Sequence, residues 1–199
     1  MKNKIAIILP YKEIYSINHA AAASIWVKDY NKLSKLSKDT VIYGNLENKL
    51  KPISRNFRNI KIISTPFSKT KQYMSFFYKD YLKYNYQIIE IHNRPEYLNF
   101  LLNKKISAKL IFFFHNNPKD IRGSKTIKER LKIAERADKI FFVSEWTMHK
   151  FFDGLPYKKK NNCEILYPSI KKLKRFNKNK KKQIIFTGKL NSSKGYDLF

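Results

Sequence analysis

Two apolar runs in this chain are stopped by the same signature. Gln87-Ile88-Ile89-Glu90-Ile91 leads into His92-Asn93-Arg94-Pro95, and Leu110-Ile111-Phe112-Phe113-Phe114 leads into His115-Asn116-Asn117-Pro118. Proline removes a backbone donor and restricts the residue before it, so each run reads as a strand that stops at its His-Asn pair. The segment between them, 96–105, has the length of a helix, with Pro95 suited to its first turn and Leu98, Leu101 and Leu102 as its buried face. Strand, helix and strand with short joints form a βαβ unit, and the crossover makes the two strands parallel. Both histidines then stand at C-terminal ends of strands in one sheet, the edge at which open α/β sheets bind ligands.

The same alternation runs through most of the chain. Ile5 to Leu9 is a continuous apolar run ended by Pro10, as expected of a strand covered on both faces. A polar loop, 11–19, carries Lys12 and Glu13. A helix follows from the alanine run 20–23, with Trp26, Tyr30 and Leu33 as its buried stripe and Lys28, Asn31 and Lys35 outside. Thr40 to Tyr43 and Asn59 to Ser64 read as strands two and three. Met74, Phe77, Tyr78 and Tyr81 mark the buried side of a helix over 68–84. Thr126-Ile127-Lys128-Glu129 has the capping-box pattern, and its helix packs Ile127, Leu131 and Ala134. Lys139 to Val143 is strand six, 144–153 a short helix ended by Gly154-Leu155-Pro156, and Cys163 to Tyr167 strand seven.

Alternating β and α segments argue an α/β fold with a doubly wound parallel sheet over residues 1–170. With the dinucleotide-fold strand order, strands one and four flank the switch point. Loop 11–19 then faces His92, and His115 lies one strand over, about 5 Å away. Residues 171–182, with Lys171, Lys172, Lys174, Arg175 and a lysine run from 178, read as an extended basic linker. Gln183 to Thr187 reads as a strand, and 188–197 as a turn opening a helix. A strand without a neighbour cannot fold alone, so 183–199 reads as the start of a second domain of a longer protein.

Lys+Arg 42 against Asp+Glu 15 gives a formal charge of +27. That balance fits an anionic partner such as phosphate, nucleic acid or acidic lipid. It equally fits compositional drift, because Lys, Asn, Ile, Tyr and Phe are all abundant. The single cysteine, Cys163, excludes an internal disulfide, fits a reducing compartment and reads as a buried strand residue rather than a nucleophile. No apolar run approaches the ~20 residues of a membrane helix. Residues 1–9 look like the start of a signal peptide, but the apolar part is too short and no small-residue cleavage site follows.

One succession of motifs resembles a known family. Ile89-Glu90-Ile91-His92-Asn93-Arg94-Pro95, Phe114-His115-Asn116-Asn117-Pro118, Phe142-Val143-Ser144-Glu145, Ile165-Leu166-Tyr167-Pro168 and Phe186-Thr187-Gly188-Lys189-Leu190 with Ser193-Lys194-Gly195 is similar to family 4 glycosyltransferases. The last motif is the most specific. The resemblance implies the GT-B architecture, two Rossmann-like domains facing a cleft, with 1–170 as the acceptor-side domain and 183–199 as the first strand of the nucleotide-sugar domain. It implies a retaining transfer of a sugar from a nucleotide diphosphate sugar to an acceptor hydroxyl, in cell-envelope glycan or glycolipid synthesis. His115 would contact the donor sugar near its reacting carbon as the catalytic-site histidine. His92, Asn93, Arg94 and Asn116 would bind substrate, with the first three on the acceptor side. Gly188, Lys189 and Lys194 would hold the donor diphosphate, whose growing charge two ammonium groups can neutralise without a metal or other cofactor. Lys189 stands where arginine is usual, keeping the charge and losing the bidentate fork.

The sequence departs from the family at two places. Ala20-Ala21 occupies the place of a glycine pair that would let backbone approach phosphate. The family's paired-glutamate motif belongs beyond residue 199, so this stretch alone is expected not to turn over donor. The implied partners are a nucleotide-sugar donor and a saccharide or lipid-linked acceptor. The implied location is the cytoplasm, with peripheral contact to an anionic inner membrane face as an option for the basic surface. Two other readings stay open. One is a basic nucleic-acid-binding module, against which the charge is widely spread and no nucleic-acid motif occurs. The other is a nucleotide-sugar epimerase of the same architecture.

Overall fold

The structure, a computed structural model, describes residues 4–19, 21–63, 66, 68–158, 160–168, 182, 184–186, 192 and 195–198. The backbone divides into two units, Met1–Ser169 and Ile170–Phe199. The first holds seven strands: β1 (Ile5–Ile8), β2 (Thr40–Gly44), β3 (Phe57–Asn59), β4 (Ile88–His92), β5 (Lys109–Phe114), β6 (Lys139–Phe142) and β7 (Cys163–Ile165). Its helices are α1 (Ala22–Leu33), α2 (Lys69–Tyr84), α3 (Pro95–Leu102), α4 (Ile127–Arg136) and α5 (Glu145–Phe152). Of the second unit, the described residues include a 3-10 turn at Tyr196–Leu198. The expected basic linker lies outside the described residues except for Lys182. Of the strand expected over 183–187, residues 184–186 are described and carry no strand pairing.

The strands form one sheet in the order β3-β2-β1-β4-β5-β6-β7, with every pairing parallel. The order reverses at β1/β4, where the dinucleotide-fold reading put it. Side chains alternate across a strand, and the alternation splits the interior in two. Ala6 and Ile8 of β1, Ile89 and Ile91 of β4, and Leu110, Phe112 and Phe114 of β5 face the larger core with Met74, Phe77, Leu98, Leu101 and Phe151 from the helices. Ile5 and Ile7 face the smaller one, with Val27, Trp26 and Tyr30 of α1. By the same parity Glu90, His92 and Phe113 lie on the α1 face.

Three expectations need correction. The third strand was expected at 59–64 and is found at Phe57–Asn59. Asn59 is the last paired residue, and its side-chain amide holds the Leu46 backbone, Oδ1 accepting from Leu46 N–H at 2.9 Å and Nδ2 donating to Leu46 O at 2.9 Å. In α1 the buried residues are Ala23, Ser24, Val27 and Asn31, and Leu33 is 83% exposed. In the last turn Tyr30 and Asn31 face the sheet, and the helical phase turns Leu33 to solvent. In α4 the buried positions are Arg130, Ile133 and Ala134, and Ile127 in the first turn is exposed.

The capping box is present in full. Thr126 N–H donates to Glu129 Oε2 at 2.9 Å, and Glu129 N–H donates to Thr126 Oγ1 at 3.2 Å. Replacing Thr126 by Ala is expected to lower stability by about 1 kcal/mol, read as a shift in the urea midpoint with an unchanged slope. Cys163 is buried in β7, as read from the sequence.

Candidate functional site

At the C-terminal edge of β4 and β5 the two histidines meet. His92 Nδ1 lies 2.8 Å from His115 Nε2, and the ring centroids are 5.1 Å apart at 22°. One residue shapes this edge. Asn93 takes a left-handed conformation, φ 53°, which asparagine tolerates better than most residues. Its N–H donates to Phe113 O at 2.9 Å, and its Oδ1 accepts from His115 N–H at 2.8 Å. The two strand ends are thereby tied together and the ring nitrogens brought edge to edge.

Helix α1 closes over the pair. Trp26 packs on His92 at 5.7 Å, on Phe113 at 5.2 Å and on His115 at 5.2 Å, while Phe113 stacks on His92 at 4.6 Å and 4°. One turn along, Tyr30 donates its hydroxyl to Glu90 Oε2. That oxygen is 3.9 Å from His92 Nε2, a buried nitrogen with no hydrogen-bond partner among the described residues. Burial sets the charge states here. It holds both imidazoles down to about 3, with His92 adding to the depression of His115. It also pushes the Glu90 carboxyl up to about 7 against the lowering effect of Tyr30.

Beside His115 opens a cleft of about 280 Å³. Ala21, Ala22 and Ala23 from the start of α1 form one wall, and Trp26, Asn93, Asn116, Glu13, Val143 and Pro168 line the rest. Ala21 is the N-cap of α1 and its side chain offers no cap, so the first N–H groups of the helix open on this side. Glu13 accepts from Ser24 Oγ at 3.2 Å, and burial raises its carboxyl above the ordinary range while Arg94 pulls it back. The loop carrying Glu13 is held by Tyr11 N–H donating to the Tyr97 hydroxyl at 2.9 Å and by Tyr15 N–H donating to Asn45 O at 2.9 Å.

The expected site residues fall into three groups. His115, Asn93 and Asn116 line the cleft. His92 has no exposed surface, because strand parity turns it under α1, so it reaches a ligand only through His115. Arg94 is half-buried as the N-cap of α3, and its Nε is buried without a partner among the described residues. Gly188, Lys189 and Lys194 lie outside the described residues. Sequence reasoning did not single out Glu13, Trp26, Tyr30 or Glu90 as site residues. Glu90 left one signal, a lone carboxylate inside an apolar strand with the parity of His92. Among the described residues no three His, Cys, Asp or Glu side chains converge as a metal-ligand set, and no helix is long and apolar enough to cross a membrane.

No protein-family model matches the sequence. No curated protein matches it by sequence either. Solved structures do match in shape. Sucrose-phosphate synthase from Thermosynechococcus elongatus aligns with a TM-score of 0.57 at 13% identity, over 83% of this chain and 48% of that one. A second structure of sucrose-phosphate synthase from the same organism aligns at 0.56 and 11% identity, over 82% of this chain and 88% of the other. The shared fold is α/β and Rossmann-like, a parallel sheet with flanking helices. At these identities the likeness is one of fold, and the chain spans about half the length of the first of these structures.

Proposed function

We propose that this chain forms the acceptor-side domain of a retaining glycosyltransferase that moves a sugar from a nucleotide diphosphate sugar to an acceptor hydroxyl. One observation carries the reading. In a chain of formal charge +27, the cleft at the sheet's switch edge has no lysine or arginine among its described lining residues. It offers an indole, an imidazole, two side-chain amides and a carboxyl. Such a lining suits a neutral, many-hydroxyl ligand, whose ring can lie against Trp26 while its hydroxyls meet Asn93, Asn116 and His115. The fold likeness to sucrose-phosphate synthase supports the same reading. In it, His115 orients the transferred sugar, and Lys189 and Lys194 neutralise the departing diphosphate without a metal. The acceptor is a saccharide or lipid-linked sugar, met in the cytoplasm or at an anionic membrane face.

The test uses the protein expressed from its own gene and a panel of labelled nucleotide sugars. His115→Ala is expected to lower transfer by about 10²-fold, the effect of losing one well-placed polar group at the reacting centre, with the circular-dichroism spectrum unchanged. Unaltered transfer removes His115 from the site. The charge favours a second reading, a nucleic-acid-binding module. An oligonucleotide titration separates the two, since tight binding with a steep salt slope belongs only to the second.

A further inference from the structure

We propose that Glu90 is a positioning residue that sets, through His92, whether His115 presents a hydrogen-bond donor or an acceptor to the cleft. The argument is one of proton counting. Two neutral imidazoles joined by one hydrogen bond share a single proton between the facing nitrogens, here His92 Nδ1 and His115 Nε2 at 2.8 Å. If His92 Nδ1 carries it, His92 Nε2 is bare and His115 keeps its own proton on Nδ1. If His115 Nε2 carries it, His115 Nδ1 is bare and the proton of His92 sits on Nε2.

The choice between these states is made at His92 Nε2. That atom is buried, 3.9 Å from Glu90 Oε2, and has no other polar partner among the described residues. At 3.9 Å the charge of a carboxylate favours Nε2–H, whereas a carboxylic acid lacks that charge and, on closing the gap by about 1 Å, donates its own proton to a bare Nε2. Ionised Glu90 therefore leaves His115 Nδ1 an acceptor, and protonated Glu90 makes it a donor. The two states differ by one proton. When His115 Nδ1 takes it up, the Nε2 proton passes to His92 Nδ1 and the His92 Nε2 proton passes to Glu90. No imidazolium forms, which suits an apolar site covered by Trp26 and Phe113.

The surrounding groups leave this chain isolated. From α1, Tyr30 donates to Glu90 Oε2 and Trp26 covers the rings. The residues paired beside Glu90 on β1 and β5 are Ile7 and Ile111. On the cleft side Glu13 faces His115, with the charge of Arg94 acting on Glu13. The consequence for a sugar hydroxyl at His115 rests on the transferase reading above; the switch itself does not.

Protein labelled with heavy nitrogen at histidine has four rings to follow, since the chain has four histidines. Their ring-nitrogen shifts report tautomer directly. In the native protein His115 is expected to pass from Nδ1–H to Nε2–H as pH rises through the Glu90 titration, near 7. Glu90→Gln cannot ionise, so His115 stays in one tautomer over the same range. Tyr30→Phe removes the hydroxyl that holds the carboxyl lower and moves the midpoint up by roughly half a unit or more. It also serves as the second variant if Glu90→Gln does not fold. A single tautomer of His115 at every pH in the native protein, or undiminished switching in Glu90→Gln, overturns the proposal. If the proposal holds, the KM for donor sugar follows the same midpoint in the native protein and loses it in Glu90→Gln. Tautomer switching without sugar turnover supports the proposal and sinks the transferase reading. Turnover with an invariant tautomer does the reverse.

Discussion

Acidification from pH 7 to about pH 4 is expected to cost this protein about 3 kcal/mol, with little of the loss above about pH 6 and roughly half of it below pH 5. Two opposed groups produce that shape. The imidazoles of His92 and His115 are held from 6.5 down to about 3 in the folded chain. Their contribution is complete above the unfolded value and is lost as pH falls toward the folded one, at about 1.4 kcal/mol per pH unit per ring. Glu90 works the other way. Its carboxyl is raised from 4.5 to about 7, so its contribution is complete below 4.5 and is lost as pH rises through 7. Between pH 7 and 5 the gain from Glu90 offsets about half of the loss from the two rings. Below 4.5 the gain is exhausted and the rings decide. Urea midpoints measured at pH 7, 5 and 4 check the shape. His115→Gln takes up no proton and is expected to reduce the drop at pH 4, whereas Glu90→Gln removes the offset and steepens the fall between pH 7 and 5. A native protein whose stability falls evenly from pH 7 would contradict the opposition.

Replacing Arg130 by Met is expected to destabilise the chain by about 3–5 kcal/mol, a large share of the roughly 5–15 kcal/mol that holds a typical domain folded. Arg130 is 2% exposed and its guanidinium serves four backbone carbonyls. Nε donates to Phe151 O at 2.7 Å, Nη1 to Lys125 O at 2.7 Å and to Ser124 O at 3.4 Å, and Nη2 to Asp153 O at 2.6 Å. These carbonyls end α5 and precede α4, so one side chain ties the two helices together. Methionine fills the space and leaves the carbonyls without donors, each costing about 1–3 kcal/mol where it stays buried. Lysine restores less than half of the loss, because a single ammonium cannot span a helix end and a loop as the planar fork does. Thermal melting of the native chain and both variants reads the effect, with a fall of roughly 10 °C for Met. A Met variant within a degree of the native chain would show that water satisfies those carbonyls.

The strand order and the meeting of His92 with His115 were legible in the sequence for a common reason. Prolines fix where the runs stop, and parallel crossover fixes which ends coincide. What the sequence concealed depends on depth. Glu90, Trp26 and Tyr30 share a site only because α1 lies across β4 and β5, and no local pattern records which strands a helix crosses. Arg130 shows the same limit. Lys128 and Lys132 beside it are exposed, and only helical phase, with 130, 133 and 134 buried, distinguishes it. The third strand moved because pairing with β2 stops at Asn59, whose side-chain amide takes up the Leu46 backbone, a contact that apolar counting over 59–64 does not see. That no lysine or arginine is among the cleft's described lining residues could not be read from a composition so rich in lysine.

Strand β1 lies in the middle of the sheet and pairs with β2 on one side and β4 on the other. It therefore waits longer for its second neighbour than any other described strand. Until His92 has emerged, Ile5, Ala6, Ile7 and Ile8 have one open flank. At about 5–20 residues per second that wait lasts roughly 4–17 s. During it the most apolar stretch of the nascent chain is a free edge, so newly made protein should be at its most chaperone-dependent while β2 to α2 are being synthesised, and should lose that dependence once β4 has docked.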